Sequence, residues 1–126
     1  MNHFLLVAIG GAAGASLRHL ANMLALRIVG AGFPWGTFFV NVAGSLIMGL
    51  LVGWLARRSG GSSNELRLLI ATGFLGGFTT FSAFSLDAVT LWERGAQLPA
   101  FLYVVTSVVV ALSALFAGLW LTRLLP

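Results

Sequence analysis

The sequence contains no cysteine, so neither a disulfide nor a thiolate metal site can form. Only 8% of its residues are charged, whereas a soluble domain carries about a quarter. It has no Ser/His/Asp set at catalytic spacing, no histidine-rich metal pattern and no glycine loop for phosphate. These absences exclude a soluble globular domain and give no support to an enzyme.

The net charge of +4 is carried entirely by arginine, and the seven arginines are scattered along the chain. A protein that binds nucleic acid gathers its basic residues into a patch or stripe. Scattered arginines among apolar residues place their stems in hydrocarbon and their charged heads at the membrane surface. The charge pattern therefore predicts no nucleic-acid partner and is typical of a protein held in a lipid bilayer.

Long apolar runs make up most of the chain, which is 59% hydrophobic with a mean hydropathy of +1.00. A helix crosses the hydrocarbon core with about 20 residues, so 126 residues provide about four spans with short connections. The runs fall at 4–29, 35–55, 65–93 and 99–125. The sequence predicts an all-α membrane protein in which four transmembrane helices form a single domain over residues 1–126.

Residues 73–85, Gly-Phe-Leu-Gly-Gly-Phe-Thr-Thr-Phe-Ser-Ala-Phe-Ser, interrupt the third apolar run. The tandem glycines Gly76 and Gly77 disfavour helix by about 1 kcal/mol each relative to alanine, and β-branched Thr79 and Thr80 follow them. Unpaired backbone in hydrocarbon is costly, so a break is expected where the freed groups line a cavity or bind an ion. We predict a third helix broken near Gly76 to Thr80. The alternative is a kink relieved by threonine hydroxyls.

Asn41 places an amide early in the second span. Helical spacing places the following residues on the same face: Thr37, Gly44, Ser45, Met48 and Gly49. They form a polar stripe with small neighbours. An amide inside a bilayer offers two N–H donors and one acceptor, with which it either joins helices or contacts an ion. The stripe can face the broken segment, which favours a functional role.

Phe81 and Phe84 follow the predicted break and alternate with Ser82 and Ser85. An aromatic ring has a positive edge, so rings presented edge-on can stabilise an anion in a site of low dielectric constant. Ordinary apolar packing is the alternative for such a pair of rings.

Polar residues also occur in the first and fourth spans. Tyr103 and Ser107 lie one turn apart and can continue a polar track, or each can bond within its own helix. Arg18 lies beyond the middle of the first span, either as an attraction for anions or as a hydrogen-bond hub.

The arginines are distributed almost evenly between the two ends of the predicted bundle. Four flank the end that holds both termini and two flank the opposite end. The difference in arginine number between the two ends of a bundle sets its orientation in the membrane. A small bias allows insertion in both directions, which makes an antiparallel homodimer possible. A bundle this thin also favours a dimer over a single subunit that encloses its own pore.

Three motifs together resemble the Fluc (CrcB) family of bacterial fluoride channels. They are residues 73–85, residues 36–44 (Gly-Thr-Phe-Phe-Val-Asn-Val-Ala-Gly) and residues 11–18 (Gly-Ala-Ala-Gly-Ala-Ser-Leu-Arg). The resemblance covers essentially the full length. It implies a multi-pass protein of the bacterial inner membrane that exports fluoride passively and is not an enzyme. It also implies an antiparallel, dual-topology homodimer with two pores and a structural sodium ion (Na+) at the dimer interface.

The same resemblance implies roles for individual residues. It assigns the fluoride pore to Asn41, Phe81, Phe84, Ser82, Tyr103 and Ser107. It assigns the sodium ion to the backbone carbonyls of Gly76 and Thr79, and a vestibule or structural role to Arg18 and Asp87. The sequence departs from the family pattern at Ala111, one turn after Ser107, and the next hydroxyl stands at Ser113. The order of hydroxyls along the exit is left open.

Two other functions compete with this interpretation. A small proton-coupled multidrug exporter has a similar four-helix dimer, but its mechanism needs a membrane-embedded carboxylate. The first span has none, and Asp87 is the only acid well inside an apolar run. A non-transporting subunit of a larger complex is the third possibility, and it predicts a polar stripe without ion specificity.

Overall fold

Helices account for the regular structure of the chain wherever it is described. The computed structural model describes residues 2–58 and 62–126. The elements, in chain order, are α1 (His3–Ile28), α2 (Trp35–Ala56), α3 (Ser62–Leu66), a π-helical segment (Arg67–Leu75), α4 (Gly76–Phe78), α5 (Phe81–Glu93) and α6 (Gln97–Arg123).

Four stretches are long and apolar enough to cross a membrane, namely His3–Ile28, Trp35–Ala56, Asn64–Glu93 and Gln97–Arg123. Each end lies within two residues of its predicted position, so the all-helical class and the four spans are confirmed. The largest difference is at α6, which begins before Pro99 rather than at it. Proline is tolerated in a first helical turn because its missing N–H would have no acceptor there.

Local chemistry explains where the helices begin and end. The Asn2 side chain caps α1 by accepting a hydrogen bond from the N–H of Phe4 at 2.8 Å. Gly30 and Gly95 follow the ends of α1 and α5 with φ of +89° and +81°. Only glycine adopts this left-handed backbone without steric cost, so both residues reverse the chain between spans.

Glycines allow the helices to pack in two close pairs. α1 lies against the π-helical segment, where a Cβ placed at Gly14 would collide with the carbonyl oxygen of Phe74. α2 lies against α6, where Gly49 contacts the backbone of Leu115 and Gly118. Side chains larger than hydrogen would hold these backbones apart, as at the small-residue contacts of other membrane helices.

The outer faces of the bundle present large apolar side chains. Phe101, Phe116 and Trp120 of α6 are exposed by 62%, 70% and 58%. A soluble monomer rarely exposes a continuous apolar surface of this kind. Lipid acyl chains are the natural surroundings of such faces.

The close packing of α1 against the π-helical segment predicts that the same substitution destabilises the protein at Gly14 but not at Gly11, three residues earlier. Gly14→Ala is expected to destabilise the protein by about 1–3 kcal/mol because the added methyl group overpacks the contact. Gly11→Ala is the matched control, since its Cβ would lie 3.8 Å from the carbonyl oxygen of Gly73, an ordinary contact. Thermal unfolding in detergent measures both. Equal melting temperatures for the two variants would contradict the close packing at Gly14.

Candidate functional site

The third span breaks at Thr79 and Thr80, where the backbone is extended. Thr79 has φ −82° and ψ 159°, and Thr80 has φ −153° and ψ 122°. The prediction of a break near Gly76 to Thr80 therefore locates it correctly. However, Gly76 and Gly77 are themselves helical. Glycine disfavours a helix by only about 1 kcal/mol relative to alanine, and the close packing of Gly77 against the backbone of Gly11 outweighs this cost.

Hydroxyls of both threonines complete the helix ends on either side of the break. The Thr79 hydroxyl donates to the Leu75 carbonyl at 2.8 Å. The Thr80 hydroxyl accepts from the N–H of Ala83 at 3.1 Å and so caps α5. A hydrogen bond from a threonine to the preceding turn was the alternative explanation, a kink. It is present at Thr79, but the helix is also fully interrupted there.

Asn41 of α2 pairs with the backbone of the break. Its Oδ1 accepts from the N–H of Thr80 at 2.8 Å, and its Nδ2 donates to the carbonyl of Thr80 at 3.0 Å. One side chain thereby satisfies both backbone groups of a residue that has left the helix. Nδ2 carries a second hydrogen, which has no acceptor among residues 2–58 and 62–126.

Arg18 of α1 approaches the break from the other side. Its Nε donates to the carbonyl of Gly77 at 3.0 Å, and the residue is partly buried. This carbonyl would accept from Phe81 in an unbroken helix, so the arginine replaces a helical donor. Arg18 thus contacts the broken segment from α1 and, unlike Asn41, does not line the groove between α2 and α6.

The carbonyl oxygens of Gly76 and Thr79 differ from that of Gly77. Within residues 2–58 and 62–126, neither receives a hydrogen bond. Gly76 is exposed and Thr79 is partly buried in the single subunit. Two oxygens with free lone pairs thus lie beside the break, where hydrocarbon offers no donor.

The two phenylalanines after the break have different surroundings. Phe81 is 79% exposed, whereas Phe84 is only 9% exposed. Their ring centroids are 5.7 Å apart with the planes tilted by 42°. Phe84 also contacts Tyr103, at 5.1 Å between centroids. The pair therefore runs from the buried interior of the subunit to its outer surface.

A groove of about 330 Å³ begins at these rings and runs along α2 and α6. It brings together Asn41, Phe81, Phe84 and Ser107, four of the predicted pore residues. Ser107 is 6% exposed, and its hydroxyl is the buried side-chain polar atom without a hydrogen-bond partner in the described chain. An unpaired buried hydroxyl is costly unless something in the groove binds it.

A second cavity, of about 270 Å³, is lined in part by Asp87, Arg94 and Thr37. The Tyr103 hydroxyl donates to Asp87 Oδ2 at 3.2 Å, and the tyrosine is fully buried. Charged groups, Asp87 and Arg94, thus line this second cavity, whereas the groove has none.

Tyr103, Ser82 and Ser113, which the sequence analysis considered for the pathway, do not line the groove. Ser82 is exposed, and its hydroxyl lies 3.4 Å from that of Thr80. Ser113, proposed as the displaced next hydroxyl, is exposed and does not line the groove, whereas Ala111 does. Ser45 lines the groove although it was not assigned to the site. Its position one turn after Asn41, on the same helix face, is the sequence signal that could have found it.

The profile of a protein family described as "CrcB-like protein, Camphor Resistance (CrcB)" matches residues 5–119. The chain belongs to the CrcB family. Its curated relatives in that family include a protein of Mesorhizobium japonicum that is 62% identical over 126 residues, covering all of both chains. A protein of Hyphomonas neptunium is 60% identical over 123 residues, covering 98% of this chain and 97% of the relative. Both CrcB relatives bear the name fluoride-specific ion channel FluC.

The pairing of Asn41 with the broken segment predicts a stability effect. Asn41→Ala removes the partners of two Thr80 backbone groups, and each unsatisfied group costs about 1–3 kcal/mol. The melting temperature in detergent is expected to fall clearly. Thr106→Ala is the control, since its hydroxyl bonds only to carbonyls of its own helix. A melting temperature of Asn41→Ala equal to that of the control would show that Asn41 does not hold the break.

Proposed function

We propose that this protein is a fluoride-selective passive anion channel of the bacterial inner membrane. The chain belongs to a family of channels rather than enzymes, and its close relatives are named for fluoride. The observation that carries the proposal is the groove in which the unpaired Ser107 hydroxyl lies beside the Phe81 and Phe84 rings.

The chemistry of the groove suits a small, strongly hydrated anion. Fluoride gives up its water only to compact donors that approach it closely. The Ser107 hydroxyl and the second amide hydrogen of Asn41 supply such donors, and positive ring edges supplement them. No lysine or arginine lines the groove, so an anion would not be trapped by a full opposite charge. Weak binding at several groups favours passage over retention.

A second copy of the chain is proposed to complete the pathway. Phe81 is 79% exposed and the groove opens on the surface of the subunit, so in a monomer the ion would face lipid. An isologous homodimer repeats the groove twice and gives two pores. An antiparallel arrangement of the subunits agrees with the small arginine bias between the two ends of the bundle.

The carbonyls of Gly76 and Thr79 are proposed to hold a structural sodium ion at the interface between the subunits. Sodium takes oxygen ligands, and these two oxygens receive no hydrogen bond within the described residues. Two-fold symmetry would double their number to four. The residues present therefore fit a sodium ion. Its positive charge would offset the repulsion between the converging carbonyl dipoles and would hold the two broken segments together.

The multidrug-exporter alternative is weaker. Asp87 is the only acid that lines either cavity, and it accepts a hydrogen bond from Tyr103 instead of standing open in the groove. A carboxylate that exchanges protons for a cationic drug would need access to that drug.

Ion efflux from liposomes tests the proposed function. Vesicles that contain purified protein are expected to release fluoride when a potassium ionophore balances the charge, and to retain chloride. Ion-selective electrodes record both ions. Folded protein that releases neither ion, or both at similar rates, would contradict a fluoride-selective channel.

Within the same assay, Phe81→Ile is expected to slow fluoride release by at least about tenfold, which corresponds to ~1.4 kcal/mol in the barrier. The ring is mostly exposed, so its removal does not disturb the core of the subunit. Phe116→Ile is the matched control, because Phe116 is 70% exposed on α6 and does not line the groove. Equal rates for both variants would reduce Phe81 to a packing residue.

The proposed sodium site predicts that dimer stability depends on the cation. Purified protein in sodium buffer is expected to melt higher, and to stay dimeric to greater dilution, than protein in N-methylglucamine buffer of equal ionic strength. The reason is that a ligand bound only by the assembled state stabilises it by mass action. Light scattering and thermal unfolding measure the two effects. A monomer in sodium, or stability indifferent to the cation, would count against the site.

A further inference from the structure

Polar residues recur at one-turn intervals on the faces of α2 and α6 that meet at the groove. α2 carries Thr37, Asn41 and Ser45 at these intervals. α6 carries Tyr103 and Ser107, but the next position in its series is Ala111, which ends in a methyl group. Asn41, Ser45, Ser107 and Ala111 all line the groove.

Packing between the two helices sets which of these residues are level with each other. Gly49 of α2 contacts the backbone of Leu115 and Gly118 of α6, and Gly53 contacts the side chain of Thr122. Later residues of α2 therefore meet later residues of α6, so the helices run parallel.

One turn before the contact of Gly49 with Leu115, Ser45 is level with Ala111. One turn earlier still, Asn41 is level with Ser107, and a further turn back Thr37 is level with Tyr103. The polar side chain at the Ala111 level of the groove is thus supplied by α2, not by α6.

The Ser45 hydroxyl is also free to bind an ion. A serine or threonine inside a helix commonly bonds back to a carbonyl of the preceding turn. Thr79, Ser85 and Thr106 do so here, at 2.8, 2.9 and 2.6 Å. In the part of the chain that the structure describes, Ser45 forms no such bond and no other side-chain hydrogen bond. Its donor is therefore not committed to the helix.

We propose that Ser45 is a further ion-binding residue of the pathway, whose hydroxyl receives the anion from Ser107 at the level where α6 offers only Ala111. This inference rests on the proposed function. It gives the groove a continuous series of donors from the Phe rings to the Ala111 level, with the final donor moved from one helix to the other.

The test compares three variants in the fluoride-efflux assay. Ser45→Ala is expected to slow fluoride release by about two- to tenfold, the effect of losing one hydrogen bond of ordinary strength. The control Ser113→Ala removes an exposed α6 hydroxyl outside the groove and is expected to keep the full rate. The double variant Ser45→Ala with Ala111→Ser returns a hydroxyl to the same level from the opposite helix and is expected to restore most of the rate.

Each outcome separates this inference from the function on which it rests. Unaltered protein that releases no fluoride overturns both. Unaltered protein that releases fluoride, with Ser45→Ala equally fast, overturns only the role of Ser45. A slow Ser45→Ala that Ala111→Ser does not rescue assigns Ser45 to helix packing and also overturns the role. If Ser45→Ala is not recovered as a folded dimer by gel filtration, Ser45→Cys, of similar volume but weaker donor strength, is expected to show the slower release.

Discussion

The pairing of the Asn41 amide with the N–H and carbonyl of Thr80 is the interaction on which the rest of the site depends. A transmembrane helix that is interrupted leaves backbone groups that hydrocarbon cannot satisfy. Asn41 takes the two groups of Thr80, and Arg18 takes the carbonyl of Gly77. With these groups satisfied, the chain can restart as α5 in a new position that sets Phe81 and Phe84 at the groove.

The unpaired backbone groups at the break need donors and acceptors from other helices, and glycines at the helix contacts allow those helices to come close enough. Arg18 reaches Gly77 only because α1 packs closely against the third span, through contacts that exclude a methyl group at Gly14. Asn41 is held in place because α2 packs against α6 through Gly49 and Gly118. Close packing of two helix pairs thus brings donors from α1 and α2 to the same broken segment. The bundle serves as a scaffold for one irregular stretch of backbone.

Polar residues around the groove fall into two groups. Some form hydrogen bonds with backbone groups, and others have polar atoms without a partner among the described residues. Asn41 does both, since one amide hydrogen is bound to Thr80 and the other is not. The Ser107 hydroxyl has no hydrogen-bond partner within the described residues, while that of Thr106 beside it bonds to its own helix. The carbonyls of Gly76 and Thr79 remain without donors among the described residues. Among the described residues, these unpaired groups lie in the groove or beside the break, whereas polar groups in a packed core are usually hydrogen-bonded.

Sequence alone determined the four spans and the interruption of the third, because hydrophobic runs and helix breakers are local properties. Together with the family resemblance, it also named as pore residues four of the ten residues that line the groove, namely Asn41, Phe81, Phe84 and Ser107. It did not determine the π-helical turn before the break, since Arg67–Leu75 contains no signal for one, nor the helical state of Gly76 and Gly77. Tertiary structure decided these points, together with the level of Ser45 against Ala111 and the position of Ser113 outside the groove. The physical reason is that each depends on which backbones approach one another, and the glycine contacts between distant segments set that approach.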